Sequence, residues 1–333
     1  MRVLILGGTR FLGRHLVAAA LARGHRVTLF HRGLSDAGAF PEVEHLHGDR
    51  NADLAPLRGR TWDLVFDTSG YEVAPVRNAV LALAHEALHY TFVSSVSVYA
   101  ERTTTVGESA ALKSPADADA PLTMDNYGEL KVACERAAEA ALPGRVQSIR
   151  AGIIVGPHDY DARFAYWLRR IARGGEVLAP GNPDARVQLV DARDLAGWLV
   201  RSAEDRRAGV FNAAGPAEPL TMRSLLEQIR EATGGDARFT WVSDAFLLEH
   251  QVAPYSEMPF WLPAPHDGFH VDITRALDAG LTFRPLGQTL GETWDWVQTG
   301  WDDAASARAH RRLEVPAGIA AAREAELLGL WHA

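Results

Sequence analysis

The stretch that leaves this chain the fewest folds to choose from is its beginning. Arg2-Val3-Leu4-Ile5-Leu6 is a short apolar run with no room for an amphipathic turn, and it stops at Gly7-Gly8-Thr9-Arg10-Phe11-Leu12-Gly13. That pattern predicts a buried strand, a tight turn and a helix start. Leu12, Leu16, Val17, Ala20 and Leu21 then recur at helical spacing as far as Gly24, and Val27 to Phe30 forms a second apolar run. A glycine turn lets the backbone approach a pyrophosphate closely, and a helix N-terminus offers unpaired N–H groups and partial positive charge. Tight strand-to-helix turns also use glycine for steric reasons alone. Its place at the head of a strand-helix-strand unit favours a dinucleotide as the ligand.

The alternation continues. Pro41 to His47 leads to Gly48-Asp49-Arg50, Trp62 to Asp67 is an apolar run closed by Thr68-Ser69-Gly70, and Val76, Val80, Leu83, Ala84 and Ala87 are helically spaced before a strand at Tyr90 to Val93. Strands and helices in turn predict an α/β fold: a Rossmann-type, doubly wound parallel sheet with its ligand at the carboxyl ends of the strands. A polar excursion from Glu101 to Asn126 precedes a helix opening near Tyr127, a strand follows at Val146 to Ala151, and then the pattern loosens. Helices are expected at Phe164–Ala172, Leu195–Ala203 and Met222–Ala232, and strands at Arg186–Val190 and Val210–Ala213. This divides the chain into a dinucleotide-binding domain, 1–155, and a smaller mixed α/β substrate lobe, 156–333. Segments around 186–215 return to the sheet, and Ala320 to Leu330 is expected as a surface helix.

Composition closes off other classes. A net charge of −8 argues against a general affinity for nucleic acid or an anionic membrane. One cysteine, Cys134, rules out an internal disulfide and a cysteine-rich metal site, which suits a reducing compartment. The apolar run after Met1-Arg2 is too short for a secretion signal, and no stretch approaches a membrane span, so the cytoplasm is the expected location.

Tyr127 and Lys131 lie four apart among good helix formers, so both project from one helix face. A protonated lysine beside a phenol favours phenolate, moving it toward the range of a working acid or base. Such a pair alone is commonly just a surface contact. Ser95, within Ser94-Ser95-Val96-Ser97-Val98-Tyr99 at a strand end, would lie across the same cleft, its hydroxyl placed to bond a substrate carbonyl or alcohol while Tyr127 moves the proton.

With these residues assembled, the chain resembles the short-chain dehydrogenase/reductase superfamily, in its extended or atypical, NAD(P)-dependent epimerase/dehydratase-like branch. The resemblance runs from residue 1 to about 300: the glycine turn, Asp49, the 94–99 stretch, Tyr127-x-x-x-Lys131, Arg150 leading to Val155-Gly156-Pro157, and Val190-x-x-x-Asp194-Leu195-Ala196. It implies a catalytic Ser95, Tyr127 and Lys131, with Asp49 touching adenine and Lys131 also holding the nicotinamide ribose. The cofactor contacts expected are Gly7, Thr9, Arg10, Phe11, Leu12, Gly13, His31, Arg32, Asp49, Arg50, Ser69, Gly70 and Lys131. A homodimer through the Val76 and Tyr127 helices is implied by the family only.

Three positions depart from that family. The middle glycine of its Gly-x-x-Gly-x-x-Gly turn is Arg10 here, similar to an atypical subgroup that includes chloroplast stem-loop RNA-binding proteins. At the end of the second strand, where NAD enzymes place an acid, stand His31 and Arg32; Arg10 and Arg32 suit a 2′-phosphate, favouring NADP over NAD. The arginine with which nucleotide-sugar enzymes hold a diphosphate aligns with Val187, and Arg186 beside it would face the other way on a strand. Substrate contacts are expected from His158, Tyr160, Phe164, Trp167 and the Met258-Pro259-Phe260-Trp261 loop, with core packing the alternative for these aromatics. No second ligand stands near His158 for a metal, and none is expected.

The expected function is an NAD(P)-dependent oxidoreductase moving hydride to or from a carbonyl or secondary alcohol of a small molecule. Two alternatives stay open: an NAD-dependent epimerase or dehydratase acting on a nucleotide sugar, and a non-catalytic cofactor-bound or RNA-binding protein of the same fold. Val96 and Ser97 offer no carboxylate beside Ser95, which counts against a dehydratase.

Overall fold

Seven parallel strands run through the middle of the molecule, each ending where polar residues interrupt an apolar run. The structure is a computed structural model describing residues 1–34, 36, 38–159, 162–301 and 318–333. The strands are β1 (Arg2–Leu6), β2 (Arg26–His31), β3 (Glu44–His47), β4 (Trp62–Asp67), β5 (Ala87–Ser95), β6 (Val146–Ala151) and β7 (Gly209–Ala213). Their order across the sheet is β3-β2-β1-β4-β5-β6-β7, and every neighbouring pair is parallel. The chain therefore reverses its direction of travel between β1 and β4, the place where a doubly wound sheet opens a crevice at its carboxyl edge.

Helices cover both faces. On one, α1 (Phe11–Ala22) packs beside α5 (Ala192–Glu204), burying Leu16, Val17, Leu195 and Trp198 against Val3, Ile5 and Leu29 of the sheet. On the other, α2 (Val73–Leu83) packs beside α3 (Tyr127–Ala141), burying Val76, Val80, Leu130 and Ala138 against Leu4, Val65 and Tyr90. The inner strand β1 is a near-continuous apolar run because both of its faces are covered.

A second core belongs to the later chain. There α4 (Arg163–Ala172) and α6 (Met222–Thr233) pack with Leu286–Gly300 around Trp167, Leu168, Leu225 and Leu290. Two short parallel pairs add to it, Glu176–Pro180 with Arg238–Val242 and Ile153–Val155 with Leu189–Asp191. The first pair was not expected, and the strand expected at Arg186–Val190 is shorter and shifted, Leu189–Asp191, with Arg186 making only an isolated bridge to Thr221 among the described residues. The final helix, Ala321–His332, is a surface helix with most of its residues exposed, and one face of it docks: Leu327 and Leu328 join this core, and Glu324, 3% exposed, pairs with buried Arg170 at 2.6 Å. A lone carboxylate in its first turn hid that docking in the sequence. Among the described residues no helix is long and apolar enough to cross a membrane.

Candidate active site

The turn after β1 is built around an absence of side chains. Gly8 has φ +94°, and a Cβ on Gly13 would stand 2.7 Å from the Gly8 nitrogen, so the first turn of α1 lies directly on the loop. Arg10 occupies the N-cap of α1 in extended backbone (φ −133°, ψ 148°), which any residue adopts; no glycine is needed there. The N-cap side chain makes no capping bond and no acid stands in the first turn, which leaves the leading N–H groups of the helix without a side-chain cap among the described residues. Across from it, Thr68 and Ser69 at the end of β4 both donate hydroxyl bonds to the Leu6 carbonyl, at 3.1 and 3.2 Å, clasping the two strand ends together.

At the ends of β5 and α3 the three motif residues converge. Ser95 ends β5, 9% exposed, its Oγ accepting the Ser97 N–H at 3.1 Å. Tyr127 opens α3, half-buried, and Gly128 after it lets the helix lie against the Ser97 carbonyl, where any Cβ would collide. Lys131, one turn on and 4% exposed, donates from Nζ to the carbonyls of Gly70 at 2.7 Å and Val93 at 2.8 Å. Its ammonium lies 4.9 Å from the Tyr71 ring centroid and 5.7 Å from that of Tyr127. Burial pulls its pKa below the ordinary lysine value.

Around the ends of β2, β3 and β4, where the sequence led us to expect adenosine contacts, fewer groups are free than expected. The Arg50 guanidinium is held by Asp67, at 2.8 and 2.7 Å, and by Ser69 Oγ at 3.2 Å. Asp67 is fully buried and also accepts the Tyr90 hydroxyl at 2.7 Å; Arg50 beside it keeps its carboxyl below the usual range despite burial, which acts the other way. Asp49 accepts the Asn51 N–H at 2.9 Å and remains partly exposed. His31 is enclosed: Gly33 N–H donates to its Nδ1, its Nε2 meets His45 Nδ1 at 2.8 Å, and His45 Nε2 meets the Phe40 carbonyl at 3.1 Å. That chain holds only if both rings are neutral, and burial together with His45 and His47 lowers the pKa of His31. Arg10 and Arg32 are exposed, and among the described residues Arg32 has no ionic partner.

The aromatic candidates divide. His158, half-buried with φ +69°, sits between His15 of α1 (6.0 Å) and Trp296 (5.6 Å), so the loop after Val155-Gly156-Pro157 closes over the first turns of α1. Burial and the charges of Arg14 and His15 hold its pKa down at about 4. Trp167 is fully buried, its Nε1 donating to the Pro259 carbonyl, and Phe164 is 1% exposed; the packing alternative describes both. Trp261 is 4% exposed, bonded to Asp244, yet it lines a small hollow with Arg186, His266 and Phe269. Val187 is buried in the core yet lines the same hollow as Arg186, so the two are not divided between opposite faces, and no strand runs through them: Arg186 forms only an isolated bridge to Thr221. Tyr160 lies outside the described residues. Among those described, no cluster of His, Cys, Asp or Glu suits a metal ion.

Two groups escaped the sequence reading. Glu135, one turn beyond Lys131, accepts from Ser94 Oγ at 2.5 Å and from Arg150 at 2.9 and 3.1 Å, while Arg150 also reaches the Tyr99 hydroxyl at 3.1 Å. This network ties α3, β6 and the Ser94–Ser95 strand end into one block, and the Lys131-to-Glu135 spacing was its only signal. The other is Arg102, whose Nε is buried and has no hydrogen-bond partner among the described residues.

A sequence profile described as the NAD dependent epimerase/dehydratase family matches residues 71–214, beginning after the glycine turn. A 3 beta-hydroxysteroid dehydrogenase/Delta 5→4-isomerase of Mycobacterium tuberculosis is 41% identical over 266 residues, 70% of each chain. The isoflavone reductase homolog IRL of Zea mays is 25% identical over 300 residues, 84% of this chain and 92% of that one. Among solved structures, UDP-glucuronic acid 4-epimerase from Bacillus cereus, in complex with NAD, superposes with a TM-score of 0.69 at 16% identity, covering 91% of this chain and 100% of that one. With its Rossmann sheet and these relatives, the chain belongs to the NAD-dependent epimerase/dehydratase family, within the extended short-chain dehydrogenases/reductases.

Proposed function

We propose that the protein is an NADP(H)-dependent reductase or dehydrogenase in which hydride moves to or from a carbonyl or secondary alcohol. The observation that carries this is the buried Lys131 ammonium, pinned between the Gly70 and Val93 carbonyls beside Tyr127, with Ser95 at the end of the strand that contains Val93. The side-chain-free Gly8–Gly13 contact and the uncapped start of α1 fit a pyrophosphate. When bound, the nicotinamide supplies or accepts the hydride. Tyr127 gives its phenolic proton to the substrate oxygen in reduction and takes one back in oxidation. Ser95 orients that oxygen, and the positive charge of Lys131 eases loss of the phenolic proton.

Tyr127→Phe tests the reading. NADPH oxidation against a panel of ketones should fall by roughly 10²-fold or more, the usual worth of a placed acid, while NADPH binding is retained. Unchanged turnover in the variant would overturn the role of Tyr127; no binding of NADPH or NADH by the parent would overturn the enzyme.

Arg186, lining its hollow with Trp261 and His266, favours a second reading, an epimerase cycle on a nucleotide sugar with NAD retained. The buried Val187 counts against it. Nucleotide analysis of the freshly purified protein separates the two: tightly retained NAD supports the epimerase, an exchangeable NADPH the reductase.

A further inference from the structure

Arg102 follows the Ser95–Tyr99 strand end and enters the seam between the sheet domain and the later lobe. There Thr105–Val106 pairs with His270–Val271, and the Arg102 carbonyl is met by His266 Nδ1 at 3.1 Å, so the backbone on both sides of the residue is fixed. Its guanidinium lies 5.0 Å from the centroid of the Phe269 ring. Nε is buried with no hydrogen-bond partner, and among the described residues no carboxylate pairs with the head group. Neighbouring Glu101 is turned away, its Oε1 accepting from the Thr103 N–H and hydroxyl. Burial lowers the arginine's basicity.

Phe269, which faces the guanidinium, and His266, bonded to the Arg102 carbonyl, both line the small hollow bordered by Arg186 and Trp261, so Arg102 stands at the rim of that hollow. A half-buried cation without a partner is unfavourable in the free protein, and a planar guanidinium matches a carboxylate or phosphate through paired N–H donors.

We propose that Arg102 is the anchor for an anionic group, carboxylate or phosphate, on the substrate. The proposal rests on that hollow belonging to the substrate site of an enzyme and narrows that substrate to an anion. The unmet donor and the desolvated charge are both satisfied by the same ligand, which makes Arg102 a specificity-determining residue. The arginine is kept at the expense of the empty protein's stability.

Calorimetric titration of the NADPH-loaded protein with malonate, and separately with inorganic phosphate, tests it. One of the probes should bind the parent; Arg102→Gln should weaken that binding by roughly tenfold or more, as loss of a charge-assisted contact implies, and Arg102→Lys should restore part of it. Without probe, Arg102→Gln should melt at or above the parent temperature. Equal binding by Arg102→Gln, a lowered melting temperature in that variant, or no binding of either probe by the parent would each overturn the anchor. NADPH affinity, read in the same samples, should be unaffected by the variant. Its absence from the parent would fault the enzyme reading instead, and the probe titration would then be judged on the unloaded protein. Malonate without phosphate points to a carboxylate substrate, and phosphate without malonate to a phosphorylated one; either supports the anchor.

Discussion

Arg32 and His31 stand side by side at the end of β2 with opposite fates. The imidazole is locked between Gly33 and His45, whereas the guanidinium projects into solvent with no ionic partner among the described residues. The nearby acid Asp36 is already bound to Arg14 at 2.6 Å, and Glu44 to Arg60 at 2.8 Å. Removing the free charge should therefore discriminate between cofactors. Arg32→Ala is expected to weaken NADPH by roughly tenfold, the worth of one charge-assisted contact, and to leave NADH nearly unchanged. Fluorescence titration with both nucleotides measures this, and an equal loss for the two would remove Arg32 from the 2′-phosphate. At this scale the candidates Ser95, Tyr127 and Lys131 stand out in the sequence because their types and spacing form a motif, and the fold sets Tyr127 and Lys131 on one helix beside the strand that ends at Ser95. Arg102 does not stand out, since a single arginine in a Thr-rich stretch has no periodicity and its distinguishing property is the lack of a partner, which only the folded chain reveals.

The strand-end loop after β4 is held from within. Asp67 fixes Arg50, Tyr90 and the Ser69 N–H, and the same loop supplies the Gly70 carbonyl to Lys131. Asp67→Asn leaves a guanidinium only 12% exposed without its counter-charge. Breaking a buried pair from one side costs about 3–5 kcal/mol, so the midpoint of urea unfolding should fall markedly, and turnover should fall with it as the Gly70 carbonyl loosens. An unchanged midpoint would show that the pair contributes little. Most elements were visible from their apolar spacing: Trp62–Asp67 and Val146–Ala151 run between the expected limits. The pairing of Glu176–Pro180 with Arg238–Val242 was not, because both strands are short and lie far apart in the chain, and nothing local marks a long-range partner.

Across the whole molecule several imidazoles are held neutral. His89 and His158 are lowered to about 4, chiefly by burial, and His15 and His31 are lowered as well. At His89 and His158 the unfolded chain binds protons near the ordinary value of 6.5 and the folded one only near 4, so their contribution to stability is complete above that window and declines as pH falls through it, with His15 and His31 acting in the same direction. Melting temperature should accordingly drop between about pH 7 and pH 5, and His89→Gln should flatten the slope by removing one such site. Identical slopes for parent and variant would assign the acid sensitivity to other groups.

The docking of Ala321–His332 bears on how the protein is made. Its Leu327 and Leu328 complete the core around Trp167, and its Glu324 neutralises the buried Arg170 in the last turn of α4. During synthesis the sheet as far as β6 has every strand it needs long before that helix leaves the ribosome, while the later lobe waits, unsealed, for its final turns. A nascent chain passes through an interval in which the nucleotide crevice has formed and the wall over it has not, and that is when a chaperone or a bound cofactor has most to contribute.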